Sequence, residues 1–138
     1  MMFELLPSLA KKIHLCDLPL CSVLLEDEKN YPWLILVPRR PALTNLLNVA
    51  EEDRAQLWDE VWKAQQVLSD LFHPTQLNVA SIGNKTPQLH IHVIARFSND
   101  PAWPHTVWDH PARAAYDREQ KDLIVIQLRK AFSKFKKN

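Results

Sequence analysis

The sequence predicts an α+β fold with a mostly antiparallel sheet and two main helices. Short apolar runs lie close enough along the chain to pair as hairpins. Two longer amphipathic segments stand apart from them, as expected when helices are segregated from an antiparallel sheet. At 138 residues, 46% hydrophobic and 24% charged, the chain is expected to form one globular domain, 1–138.

Leu5 to Lys12 reads as a short helix weakened by Pro7. Leu20 to Leu25 is an apolar run that stops at the polar turn Glu26-Asp27-Glu28-Lys29-Asn30. Trp33 to Val37 is a second run, closed by Pro38. Both are continuous rather than alternating, which predicts strands covered on two faces. Asn48 to Phe72 is the strongest helix. Asn48 with Glu51 fits a capping box, and Leu57, Val61, Ala64, Leu68 and Leu71 recur at helical spacing, widened by Trp58 and Trp62. Leu77 to Ile82 reads as a strand and Gly83 to Pro87 as a loop. Gln88 to Phe97 reads as a strand with Leu89, Ile91, Val93 and Ala95 on one face and Gln88, His90, His92, Ile94 and Arg96 on the other. Asn99 to His110 is a loop rich in Trp and Pro, and Asp122 to Phe135 a closing helix.

Composition removes several function classes. The single glycine excludes a P-loop, which needs two, and a dinucleotide fingerprint, which needs three. Lys plus Arg is 17 against 16 for Asp plus Glu, a net charge of +1. That gives no electrostatic case for a nucleic-acid polymer or an anionic membrane. No apolar run nears the roughly 20 residues that span a bilayer, and no signal peptide is read at the start. Cys16 and Cys21 form neither a CxxC nor a disulfide framework. The expectation is a reduced, cytoplasmic protein.

The chemistry concentrates at Gln88, His90 and His92. Histidines two apart on a strand point the same way, roughly 7 Å apart, and can act on one small ligand. Just upstream, the turn Gly83-Asn84-Lys85-Thr86 offers backbone N–H groups, a cation and polar side chains as a phosphate cradle. Two plainer readings stand beside this one. The pair can be surface residues on an exposed sheet face, or metal ligands completed by His105, His110, Asp100 or Asp109.

The stretch Gln88-Leu89-His90-Ile91-His92-Val93-Ile94-Ala95-Arg96 resembles the signature strand of the histidine triad (HIT) superfamily, three histidines alternating with apolar residues. Tyr31 to Arg39 is similar to the family's strand that ends in proline and a basic residue. Leu77-Asn78-Val79 is similar to its asparagine-bearing strand. The resemblance covers roughly residues 20 to 96. It implies a five-stranded HIT-like sheet, a homodimer and a small-molecule nucleotide substrate. It also implies hydrolysis or transfer at the α-phosphate of a dinucleoside polyphosphate, a nucleoside phosphoramidate or an adenylate. His90, at the middle triad position, becomes the nucleophile and carries a nucleotidyl intermediate. His92 bonds phosphate oxygens. Asn78 and an acidic residue near Leu25 to Asp27, with Asp27 the candidate, contact ribose or phosphate. No cofactor is implied, beyond a divalent cation such as Mg on polyphosphate substrates.

Two positions depart from the family pattern. Gln88 replaces the first histidine and cannot shuttle a proton near pH 7, so its role is that of a hydrogen-bond donor. Trp33 stands where many members carry a supporting histidine. These departures leave open a catalytically weak or inactive nucleotide-binding module on the same fold. The HxH pair keeps a third, lower-ranked alternative, a metal-dependent hydrolase with His90 and His92 as ligands. Arg96 has two readings of equal standing, neutralising phosphate or pairing with Asp100. Trp103 and Trp108 are read as packing residues, and any pocket for the leaving group falls in the loop 99–110.

Overall fold

The structure is a computed structural model and describes residues 2–135. Its elements run α1 (Pro7–Ala10), β1 (Ile13–Asp17), β2 (Cys21–Leu25), β3 (Trp33–Pro38), α2 (Glu51–Phe72), β4 (Gln76–Ala80), β5 (Ile91–Arg96) and α3 (Arg118–Ser133). Short 3-10 turns lie at Leu46–Asn48 and Val107–Asp109. The strands form one sheet in the order β1-β2-β3-β5-β4, and every neighbouring pair is antiparallel. This is the α+β architecture that the apolar runs predict.

The continuous runs of β2 and β3 are buried along their whole length because the sheet is covered on both faces. Leu34, Leu36, Val93 and Ala95 pack into a core with Leu57, Val61, Ala64 and Leu68 of α2 and Ile124, Leu128 and Phe132 of α3. Trp33, Ile35, Val37 and Ile94 pack on the opposite face, under Leu9, Tyr31, Ala102 and Val107. Helices cover the first face. The second is covered by α1 and by the loop that follows β5. Burying each Leu, Ile or Val side chain is worth about 1.5–3 kcal/mol, so both covers contribute to holding the sheet. Cys16 and Cys21 are buried thiols in the helix-side core.

Several boundaries differ from the sequence reading. Strand β1 lies where no strand is read. It is the sheet edge, only Leu15 and Cys16 within it are buried, and its register shifts between His14 and Cys16. An irregular edge strand needs no apolar pattern. Helix α2 begins at Glu51, after Ala50, with no side-chain cap. The carboxamide of Asn48 is instead spent on the preceding 3-10 turn, where its Oδ1 accepts from the Thr44 and Asn45 backbone N–H groups. Glu51, Glu52 and Asp53 face the positive end of the helix dipole. Helix α3 starts at Arg118, where Asp117 and Gln120 form a capping box. Strand β5 begins only at Ile91. Before it, the Leu89 N–H donates to Leu43 O in the loop after β3, which draws the chain out of the sheet ladder. Gln88 and His90 therefore precede the strand.

Candidate active site

On the loop-covered face a cavity of about 490 Å³ opens beside the start of β5. His90 and His92 line it, and both are buried, at 6% and 7% exposure. Their ring centroids lie 4.9 Å apart at 76°, closer than two steps along an ideal strand because His90 has already left the ladder.

Each ring has one nitrogen fixed by a partner of known polarity. His90 Nδ1 lies 2.6 Å from the backbone oxygen of Gln88. A carbonyl can only accept, so Nδ1 carries the hydrogen and the neutral ring keeps its lone pair on Nε2. His92 Nδ1 lies 2.9 Å from Trp33 Nε1. An indole N–H can only donate, so here Nδ1 accepts and Nε2 carries the hydrogen. The two imidazoles are held as opposite tautomers, one offering a nucleophilic nitrogen and the other a hydrogen-bond donor. Burial, with smaller contributions from His90 and Lys12, pulls the His92 pKa down to about 3. It therefore stays neutral at ordinary pH. Trp33, on β3 opposite Ile94, supports the histidine pair through its Nε1–H bond to His92. Trp108 closes on His92 edge-on, with centroids 5.0 Å apart.

The remaining walls come from distant parts of the chain. Asn84, Lys85 and Thr86 line the cavity, as the cradle reading expects. Ser8, Lys12, Glu26 and Arg113 line it too, and sequence reasoning did not find them. Lys12 pairs with Glu26. The Arg113 guanidinium sits over the Trp33 ring, 5.3 Å from its centroid, and is held by the carbonyls of Val107 and His110. Three cations against one carboxylate give the cavity a positive field suited to phosphate.

Other candidates are placed elsewhere. The Gln88 side chain does not line the cavity: its Oε1 accepts from Leu6 N–H at 2.9 Å and its Nε2 donates to Glu4 O at 2.7 Å. Asp27 is used by the C-terminal segment, accepting from Tyr116 N–H. Glu26, one residue earlier, is the acidic group that reaches the cavity. Gly83 has no left-handed backbone. A Cβ there would meet Thr86 O at 3.2 Å, so the glycine serves close packing of the loop. Asn78 lies in a neighbouring groove with Trp103 and Trp108, where its Oδ1 accepts from Arg96 Nη1 at 2.9 Å. Arg96 is paired with Asp100 through two bonds of 2.8 and 3.0 Å, with both side chains 2% exposed. That decides its two readings in favour of pairing. Burial would raise the Asp100 carboxyl pKa, but bonds from Arg96 and from the Phe97 and Trp103 backbone hold it below the usual range. Among the described residues, no group of three or more His, Cys, Asp or Glu side chains is placed to hold a metal ion. No helix among them is long and apolar enough to cross a membrane.

Comparison with known proteins bears on this arrangement. A histidine triad protein from Bradyrhizobium japonicum is 37% identical, with 95% of this chain and 98% of that one covered at a TM-score of 0.91. One from Marinobacter aquaeolei is 34% identical, covering 98% and 99%, with a TM-score of 0.92. One from Sinorhizobium meliloti is 30% identical, covering 94% and 96%, with a TM-score of 0.89. No curated protein matches the chain. The HIT domain model matches residues 9–99, which hold the histidine pair, the loop before it and the sheet beneath, and the chain belongs to the HIT domain family.

Proposed function

We propose that the protein is a nucleotide hydrolase or transferase that works through His90. The observation that carries this reading is the pair of opposite tautomers in a cationic cavity. His90 Nε2 attacks the α-phosphorus, a P–N bond forms, and the bond from phosphorus to the leaving group breaks. His92 Nε2–H, kept neutral, donates to a phosphoryl oxygen as charge develops there. Water then attacks the nucleotidyl-histidine, releasing the mononucleotide and restoring the ring. The covalent route divides one displacement into two easier ones.

The leaving group follows from the same geometry. The Gln88 side chain is directed at the N-terminal segment, and His92 is a neutral donor rather than an acid. A leaving group that departs as a stable anion suits this site better than one that needs a proton. Anhydrides, such as dinucleoside polyphosphates and adenylates, are therefore preferred over phosphoramidates. Arg113 and Lys85 fit the additional negative charge of such substrates. The expected result is AMP release from a diadenosine polyphosphate, with at least about a thousandfold loss in His90→Ala. Binding of AMP by the wild type without turnover would instead favour a nucleotide-binding module.

The proposed protein is a homodimer. Trp58 and Trp62 on α2 are 54% and 69% exposed, and Val79 on the open edge strand β4 is 41% exposed. An apolar helix face beside an unpaired strand edge is a surface that a second copy can cover. Sedimentation should show a dimer for the wild type and a monomer for Trp62→Glu. We place the protein in the cytoplasm, consistent with the buried thiols of Cys16 and Cys21.

A further inference from the structure

We propose that Gln88 is a positioning residue that clamps the N-terminal segment onto the active-site wall, so that it governs substrate binding rather than the chemical step. Its carboxamide meets one side of Leu5, accepting from Leu6 N–H and donating to Glu4 O. It thereby acts as a strand neighbour would, with one donor and one acceptor side by side. A neutral imidazole cannot copy this, because its donor and acceptor nitrogens lie on diverging edges of the ring. Glutamine at the first triad position is thus a change of task.

What the clamp holds is part of the cavity. Leu6 is the N-cap of α1, and α1 with the residue pair after it brings Ser8, Leu9 and Lys12 to the wall. A second bond ties the same two segments, between the hydroxyls of Ser8 and Thr86 at 2.8 Å. Phe3 and Leu5 are partly buried against the apolar cluster beneath, and Leu9 of α1 is a buried member of it, so apolar packing anchors the segment and the polar ties fix its edge against the loop before β5. The Gln88 backbone oxygen meanwhile orients His90. One residue therefore links the orientation of the nucleophile to the wall that contacts the substrate.

The kinetic arm of the test rests on the nucleotide reading above, and the exchange arm does not. In the full-length protein, Gln88→Ala and Gln88→His should each raise KM for a diadenosine polyphosphate about tenfold, the worth of roughly one net hydrogen bond. The change in kcat should be less than about threefold, with the pH profile retained. Hydrogen exchange should show the Leu6 amide losing protection while amides in β3 and β5 keep theirs. Leu6→Pro provides the converse test. The backbone at Leu6 has φ −62° and ψ 152°, which proline adopts; the substitution removes the donated N–H together with the Leu6 side chain, for which Leu6→Ala is the control. Leu6→Pro should reproduce the KM rise. A kcat loss of a hundredfold with KM unchanged, or a Leu6 amide equally protected in wild type and Gln88→Ala, would overturn the proposal. If the wild type neither binds nor cleaves nucleotides, the nucleotide reading fails, and Leu6 exchange still decides the clamp.

Discussion

Strands β3 and β5 present alternate side chains to two covers of different kinds. On the helix side, Leu34, Leu36, Ile91, Val93 and Ala95 meet α2 and α3 in an apolar core. On the other side, Trp33, Ile35, His92, Ile94 and Arg96 lie under α1 and the loop after β5. There three of the six buried polar or charged residues among those described, His90, His92 and Arg96, are gathered. The helix side buries one carboxylate, Glu60 of α2, which accepts from the Leu20 and Cys21 backbone N–H groups and is fully used there. A loop brings backbone carbonyls, carboxylates and indoles, so it can satisfy buried polar groups. The site lies on the side where buried, hydrogen-bonded histidines also border an open cavity.

The division can be broken from either side, and the expected effects descend in size. The greatest is the loss of turnover in His90→Ala. Next come two stability losses that should separate cleanly by function. Asp100→Ala leaves Arg96 buried without its partner and should cost about 3–5 kcal/mol. It should also disorder the loop that carries Trp108, lowering activity as well as the denaturation midpoint. Leu36→Ala, on the helix side, should cost about 2–5 kcal/mol while leaving kcat within about twofold at temperatures where the protein is folded. If Leu36→Ala abolished turnover without unfolding the chain, the two faces would not be independent.

A smaller effect sharpens the loop side. Trp33→Phe keeps an aromatic side chain, though a smaller one, and removes the N–H that His92 Nδ1 accepts from. An orphaned buried acceptor costs about 1–3 kcal/mol, and the tautomer of His92 is released. Turnover should fall roughly tenfold with KM little changed. Both can be read from steady-state kinetics beside urea melts. An effect of comparable size on stability is in pH. An unfolded chain carries His92 with a pKa of about 6.5, whereas the folded ring is held down to about 3. Between those values the folded state binds fewer protons than the unfolded one. Stability should therefore fall as pH drops from about 6.5, by up to about 1.4 kcal/mol per unit from this group. His92→Asn should flatten that slope in urea melts run between pH 4 and 7.

What the sequence disclosed follows the same division. The helix-side core was legible because β2, β3 and α2 carry uninterrupted or helically spaced apolar residues. The histidine pair was legible from its spacing of two, and Asn84 to Thr86 from their nearness to it. Strand β1 was not, since an edge strand that mixes His14 and Asp17 with Leu15 has no pattern to show. The wall residues Ser8, Lys12, Glu26 and Arg113 were not, since loops far apart in the chain bring them together. Gln88 was read onto the catalytic face because alternation was carried three residues beyond the start of β5. Glu26 rather than Asp27 lines the cavity, which the sequence could not show because the turn after β2 decides which way each carboxylate points. The role of Trp33 became legible only with the antiparallel register, which sets it diagonally across from His92.

The most direct test of a covalent mechanism at His90 is the intact mass of the protein after brief mixing with a diadenosine polyphosphate. The quench should be alkaline, because a phosphorus–nitrogen bond to histidine is acid-labile, and AMP should be measured in the same samples. The account expects AMP release from the wild type, with an added adenylate trapped at early times, and neither in His90→Ala. An adduct that persists in His90→Ala would contradict it, as would a wild type that gives neither adduct nor AMP.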